Sequence, residues 1–388
     1  MRHHKAFSDY LLFEEYRLSS EALGLYRIGF AAVYLIILGV PSFAWLSQVA
    51  EFFYAPQMFN VARLLSDYVP RFEVLLLLDV VIAISLGAML FGFKTKLVSW
   101  LLTLTLLVGF AFQYSLGKID HNIILVLIPA VMSFSGWEQA FSIDAQAANR
   151  PSQPPDGYAP FVMALVLGFA MFTAGVPKLL GGWLSWDASG MFHHFYSRYY
   201  FWDRQTLLAP LLAGDTPHWV WKAMDYTAVL FELLFLPAVF NKRVFQGFCC
   251  LAVAFHVVNL LILNITFSGN LLAYLLFIRW EPVIAQLKQW RIPERLERLM
   301  TYRNLALTLL FLMGQYYWCV YAGDVRFGFR PDSSLLEALT KLVGVRVSYL
   351  GSIALIVISL FVMGWQLIIR HHLNPKLLPP QAPTDWSE

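Results

Sequence analysis

The chain has 388 residues, of which 59% are hydrophobic, 16% aromatic and only 14% charged. Soluble globular domains carry about 45–50% apolar and about 25% charged residues, so too few charged groups are present to cover a water-facing surface of this length. That excludes a soluble fold, a disordered chain and a disulfide scaffold, and a net charge of +3 offers no basic surface for nucleic acid. The composition reads as an all-α, polytopic integral membrane bundle. Cys249, Cys250 and Cys319 sit in apolar runs without zinc-type spacing and read as membrane-core packing. The first 20 residues mix basic and acidic side chains and lack an apolar core with a cleavage site. The first span is therefore expected to anchor the chain itself.

In chain order, hydropathy predicts spans at 23–45, 72–92, 97–116, 121–137, 158–176, 223–240, 244–263, 270–280, 305–321 and 349–369. That is a bundle of about 8–10 transmembrane helices with a re-entrant or interfacial external segment at 177–222. A spanning helix needs ~20 residues, so 121–137 and 270–280 are short; the second is either the end of a helix starting near Thr266 or a half-spanning element. A Pro-rich linker at 144–158 separates the first four spans from the rest, and 322–348 has the apolar spacing of an external amphipathic helix. The division expected is a cytoplasmic segment at 1–21, a transmembrane domain at 22–282, two further spans within 283–370 and a tail at 371–388. With the N-terminus in the cytoplasm, cytoplasmic segments hold 16 Lys and Arg and the opposite side 11, which places both termini inside.

Ionisable groups within spans are costly and therefore informative. Arg27 lies one turn inside the first span, where it snorkels to the headgroups or pairs with an acid of another helix; Asp79, deep in the second span, makes a buried Arg27–Asp79 pair the specific case. Asp120, His121 and Asn122 open the fourth span, as a helix cap or as a polar cluster at a cavity mouth. Lys178 follows Pro177, which is expected to end the helix and leave the lysine at a backbone break. There it snorkels to the interface or serves as a base, because an amine removed from water is more easily held neutral. Glu232 is central in its span with Asp225 seven residues earlier on the same face, and His256 is central in the next span with Asn259 beside it. A pair between Glu232 and His256 would satisfy both and could relay protons. The outward segment holds Asp187, His193, His194, Asp203, Asp215 and His218, but without metal-ligand spacing, so no metal is expected.

The order of ALGLYRIGF in the first span, AGVPKL followed by Trp183 and Trp186, FELLFLP, and AFHVVN followed by a Gly-Asn resembles the HTTM family over residues 19–282. This is the horizontally transferred transmembrane domain shared with vitamin K-dependent γ-glutamyl carboxylase. There a lysine deprotonates a reduced quinone, oxygen adds, and the strong base formed removes a glutamate γ-proton in the presence of CO2. The resemblance puts the base role on Lys178 and polar membrane-core roles on His121 and His256. Glu232 completes the catalytic candidates, and Trp183, Trp186 and Asn259 are the cofactor-binding candidates. The implied cofactor is a reduced quinone of the vitamin K type, in a bacterial inner membrane protein. The carboxylase follows its membrane part with a large substrate-handling region, whereas two spans, an amphipathic stretch and a tail are expected here. The alternative function is a non-catalytic partner or maturation factor that holds a secreted peptide or another protein at the external face. A transporter fits the intramembrane charges but lacks the internal repeat that many transporters have.

Overall fold

The computed structural model of the protein describes residues 14–117, 122–148, 155–265, 267–321 and 357. No strand occurs among the described residues. Helix α1 is Ser20–Ala32, running on as a π-helical turn at Val33–Leu38; α2 is Phe72–Phe91, α3 Thr95–Tyr114, α4 Ile123–Met132, α5 Tyr158–Leu180 and α6 Gly190–Tyr196. They are followed by α7 at His218–Ala238, α8 at Lys242–Leu263, α9 at Ser268–Leu275, α10 at Trp280–Gln289, α11 at Ile292–Leu299 and α12 at Tyr302–Tyr321. Among the described residues, five helices are long and apolar enough to cross a membrane: Ser20–Leu38, α2, α3, α5 and α8. Helix α7 matches them in length, at 21 residues, but carries Lys222, Asp225 and Glu232. The chain is an integral membrane helical bundle. The stretch at 322–348 expected to be external, all but residue 357 of the span expected at 349–369, and the tail lie outside the described residues, as do Asp120 and His121.

Two of the predicted spans are half-length. Helix α4 has ten residues and α9 eight, about 15 and 12 Å at 1.5 Å per residue, and the two pack against each other. Beyond α4 the chain continues as buried turns, and irregular backbone at membrane depth survives only where protein satisfies it. Arg27 supplies that partner. Its guanidinium is fully buried and donates to five carbonyls: Trp137 O at 3.1 Å, Ala140 O at 3.4 Å, Phe141 O at 2.5 Å, Leu90 O at 3.1 Å and Met89 O. Three of these belong to the turns after α4, and two to the end of α2. Gly92 closes α2 with φ +62°, and a Cβ there would lie 2.9 Å from the Arg27 guanidinium. The site demands glycine for both reasons.

Asp79 therefore does not pair with Arg27. Its carboxylate accepts from Ser42 Oγ at 2.6 Å and from the N–H groups of Phe43 at 2.7 Å and Ala44 at 3.1 Å. It caps a 3-10 helix at Ala44–Gln48, which folds the chain back after Gly39, whose φ is +79°. This turn is why the first helix stops at Leu38 rather than running to residue 45. Asp144 caps α3 in the same way, accepting from Lys94 N at 2.8 Å and Thr95 N at 2.7 Å. Each acid spends its charge on helix-start N–H groups, where the helix dipole favours it.

Pro177 does not end α5, contrary to the sequence expectation. The helix passes through it to Leu180, since a proline one turn from the end forfeits only a single intrahelical bond. Among the described residues, helices α5 and α7 make the most extensive helix–helix contact. Gly168 and Gly175, two turns apart on α5, let the backbones approach. A Cβ at Gly168 would stand 2.7 Å from Val239 and 3.1 Å from the Leu236 Cα, and one at Gly175 would stand 3.0 Å from the Glu232 Cβ. Lys178 is one turn beyond Gly175 and so arrives opposite Glu232.

Replacing Arg27 by Met keeps most of the volume but strands five carbonyls. The substitution is expected to cost about 3 kcal/mol, read as a lowered thermal unfolding midpoint in detergent, with Arg27→Lys recovering only part of it.

Candidate functional site

Helix α7 turns one stripe of residues, 218, 222, 225, 229 and 232, toward α5 and the segment that follows it, at the three- and four-residue spacing of a single helix face. His218 Nε2 lies 2.7 Å from the carbonyl of Trp186. Lys222 Nζ donates to the carbonyls of Trp183 at 2.5 Å and Ala188 at 2.8 Å, and to Asp225 at 3.1 Å. The second Asp225 oxygen accepts the Met191 N–H at 2.8 Å. Beside the stripe, Tyr226 donates to Leu184 O at 3.2 Å. The chain from 183 to 191 is thus fastened along α7 by polar side chains. The buried Lys222 and Asp225 form an ion pair, and the further hydrogen bonds of each offset the cost of burying it.

The last member of the stripe, Glu232, closes an ion pair with Lys178 across the α5 and α7 contact. The Glu232 side chain is 5% exposed and that of Lys178 24%, so the amine is the half of the pair that faces open space. That space is a cavity of about 530 Å³, within the range of ~300–1,000 Å³ usual for small-molecule sites. Its walls carry Trp183, whose ring lies 5.6 Å from Lys178 Nζ, together with Phe255, His256, Asn259, Phe267 and Asn270. His256 stacks on Phe267, with centroids 4.4 Å apart, and its Nε2 lies 3.1 Å from the Tyr274 hydroxyl. The expected pair of Glu232 and His256 is not formed, because Lys178 reaches the carboxylate first and Tyr274 takes the imidazole. Both nevertheless line the same cavity.

Of the candidates read from the sequence, Lys178, Glu232, His256, Asn259 and Trp183 come together here. Trp186 does not: its exposed ring stands edge-on to His218 at 5.6 Å, away from the cavity lining. His121 lies outside the described residues, although Ile123 and Ile124, close behind it, line the cavity. Sequence reading missed Tyr274 and Phe267, because aromatic residues in an apolar run carry no signal separating a wall from packing; His194, weighed there only as a metal ligand, lines the cavity as well. It also missed Lys222, whose spacing of three to Asp225 was the available clue.

The family model of the HTTM domain matches residues 16–281. The chain belongs to the HTTM-domain family. No curated protein and no solved structure matches it. All the residues that form the cavity of this HTTM-domain protein fall within the matched stretch, while α11 and α12 continue beyond it. A second, almost wholly apolar groove of about 750 Å³ runs along α7 and α8. It shares Met191, Ala228, Phe255, Asn259 and Leu263 with the cavity, and Leu230, Leu234 and Leu251 on its walls are exposed.

Removing the Lys222 ammonium leaves Asp225 buried without its cation and frees two carbonyls of the 183–191 stretch. In the Lys222→Met variant, amide hydrogen exchange across 183–191 is expected to accelerate about tenfold or more, while peptides from the middle of α2 and α3 keep wild-type protection.

Proposed function

We propose that this HTTM-domain protein is a membrane enzyme that takes a proton from a reduced quinone held in the cavity, with Lys178 and Glu232 as its acid–base pair. The observation that carries this reading is the placement of the Lys178 amine. It is paired to a buried carboxylate on one side and open to a ligand-sized, aromatic-walled cavity on the other.

The pair can hold its proton on either partner without moving a heavy atom. With the proton on Glu232, Lys178 presents a neutral amine to the cavity and accepts a proton from a hydroxyl within hydrogen-bond reach. With the proton on Lys178, the ammonium is stabilised by the Trp183 ring and by the Glu232 carboxylate. Against the largely apolar cavity walls the two arrangements differ less in energy than they would in solution. On the opposite wall, His256 is oriented by Tyr274, and the amides of Asn259 and Asn270 offer both donors and acceptors to polar oxygens.

The residues fit a quinone. Trp183, Phe255 and Phe267 offer flat apolar walls for a ring, the polar groups converge at its edge, and the apolar groove along α7 and α8 suits a hydrocarbon tail entering from lipid. Bound there, a reduced quinone supplies an ionisable hydroxyl and two electrons for reaction with O2. The proposed setting is a bacterial plasma membrane with both termini cytoplasmic, so that the cavity opens outward.

A second reading, a membrane partner or maturation factor for a secreted peptide, is favoured by one observation. The outward segment exposes large apolar side chains, among them Trp202, Trp219 and, at 87% exposure, Phe201. Cross-linking that captures a stoichiometric polypeptide at this segment, with complementation intact in Lys178→Ala, would select that reading.

In lipid nanodiscs supplied with menaquinol and O2, the wild type is expected to form quinone epoxide. Lys178→Ala is expected to lower the rate about 100-fold or more while still binding quinol, and Glu232→Gln to lower it as well. A wild type as inert as Lys178→Ala, with quinol bound, sinks the proposal.

A further inference from the structure

A second cavity of about 450 Å³ lies on the other side of the α4 and α9 starts. One wall is the non-helical stretch 39–43, which Asp79 holds in place. The others come from Tyr34, from Phe110 and Gln113 of α3, and from Asn122, Leu125 and Gly269. Consecutive residues divide between the two cavities. Asn122 and Leu125 face this one, while Ile123 and Ile124 face the cavity of Lys178; Gly269 borders this one and Asn270 the other. A Cβ at Gly269 would lie 2.8 Å from the Leu125 side chain, so α4 and α9 are in close contact where they divide the two cavities.

Tyr34 is the telling residue. It is 1% exposed, it lines this cavity, and its hydroxyl has no hydrogen-bond partner among the described residues. Buried hydroxyls are nearly always bonded, and an orphan points to a water or a ligand. A single water needs only ~10–15 Å³, and the space here is that of a small-molecule site. Tyr34 also belongs to the π-helical turn at Val33–Leu38, an uncommon geometry often found at functional sites.

We propose that this cavity binds a small uncharged molecule bearing a primary amide or a comparable neutral donor–acceptor group. Among the described residues no Lys, Arg, His, Asp or Glu lines it, so an ionic ligand would be buried without compensation. Gln113 and Asn122 each offer a carboxamide with donors and an acceptor, and the Tyr34 hydroxyl serves as either. The rings of Tyr34, Phe43, Trp45 and Phe110 provide flat walls. The recognition groups are separate from Lys178 and Glu232, and the occupants of the two cavities would sit on either side of the α4 and α9 starts.

The probe is 4-fluorobenzamide, followed by fluorine NMR on the full-length protein in nanodiscs. Saturable binding is expected, with 4-fluorobenzoate at least tenfold weaker. Tyr34→Phe is expected to weaken the amide about fivefold with an unchanged unfolding midpoint, since the hydroxyl it deletes supports nothing in the fold. Gln113→Leu should weaken it as well, and Lys178→Ala should leave it unchanged. The site is overturned by uptake no greater than that of empty nanodiscs, by equal binding of the benzoate, by wild-type affinity in Tyr34→Phe, or by loss of binding in Lys178→Ala.

Discussion

Within a bilayer no water is at hand to absorb a freed carbonyl or an unpaired charge, so every such group must find a protein partner. Much of this architecture follows from that constraint, and Arg27 is where it is met most heavily. One guanidinium, always charged and carrying five N–H donors in a fixed fork, gathers the carbonyls released where α4 stops halfway and where α2 ends. Without a donor of that shape, the half-length α4 would leave buried backbone unsatisfied. The half-length helices are in turn what allow two cavities to form at one end of the bundle.

The site has a second organiser in α7. Its charged residues remove it from the strongly apolar helices, and the structure gives each of them work. Lys222 and Asp225 fasten the 183–191 stretch, and Glu232 holds Lys178. Since Lys222 grips the Trp183 carbonyl and the Trp183 ring lies over Lys178, the order of the 183–191 stretch and the environment of the amine are coupled through a single helix face. The close approach that makes this possible rests on Gly168 and Gly175, where side chains would wedge α5 away from α7.

The two cavities divide the chemistry between them. One is lined by an ion pair, an imidazole and aromatic rings, and abuts an apolar groove with exposed leucines. The other has no ionisable side chain other than the Tyr34 phenol among its described lining residues, carries two carboxamides and is shaped by a folded-back loop. The starts of α4 and α9 lie between them, and the charged groups line only the first.

Much of this was legible in the residues. Charge scarcity alone made the chain a membrane bundle, and the apolar runs located α2, α3 and α8 within two residues at each end. Charges inside apolar runs marked Lys178, Glu232, His256 and Asn259, since intramembrane polar groups are costly enough to stand out. What the sequence could not decide was pairing. It left Arg27 opposite Asp79 and Glu232 opposite His256, whereas the folded chain gives the arginine to carbonyls, the aspartate to a helix start, the glutamate to Lys178 and the histidine to Tyr274. It also stopped α5 at Pro177, where packing against α7 carries the helix one turn further. The identity of a residue states what kind of partner it needs. Which partner it meets depends on helix rotation, on how closely two backbones approach and on where a helix breaks, and only the three-dimensional packing sets these.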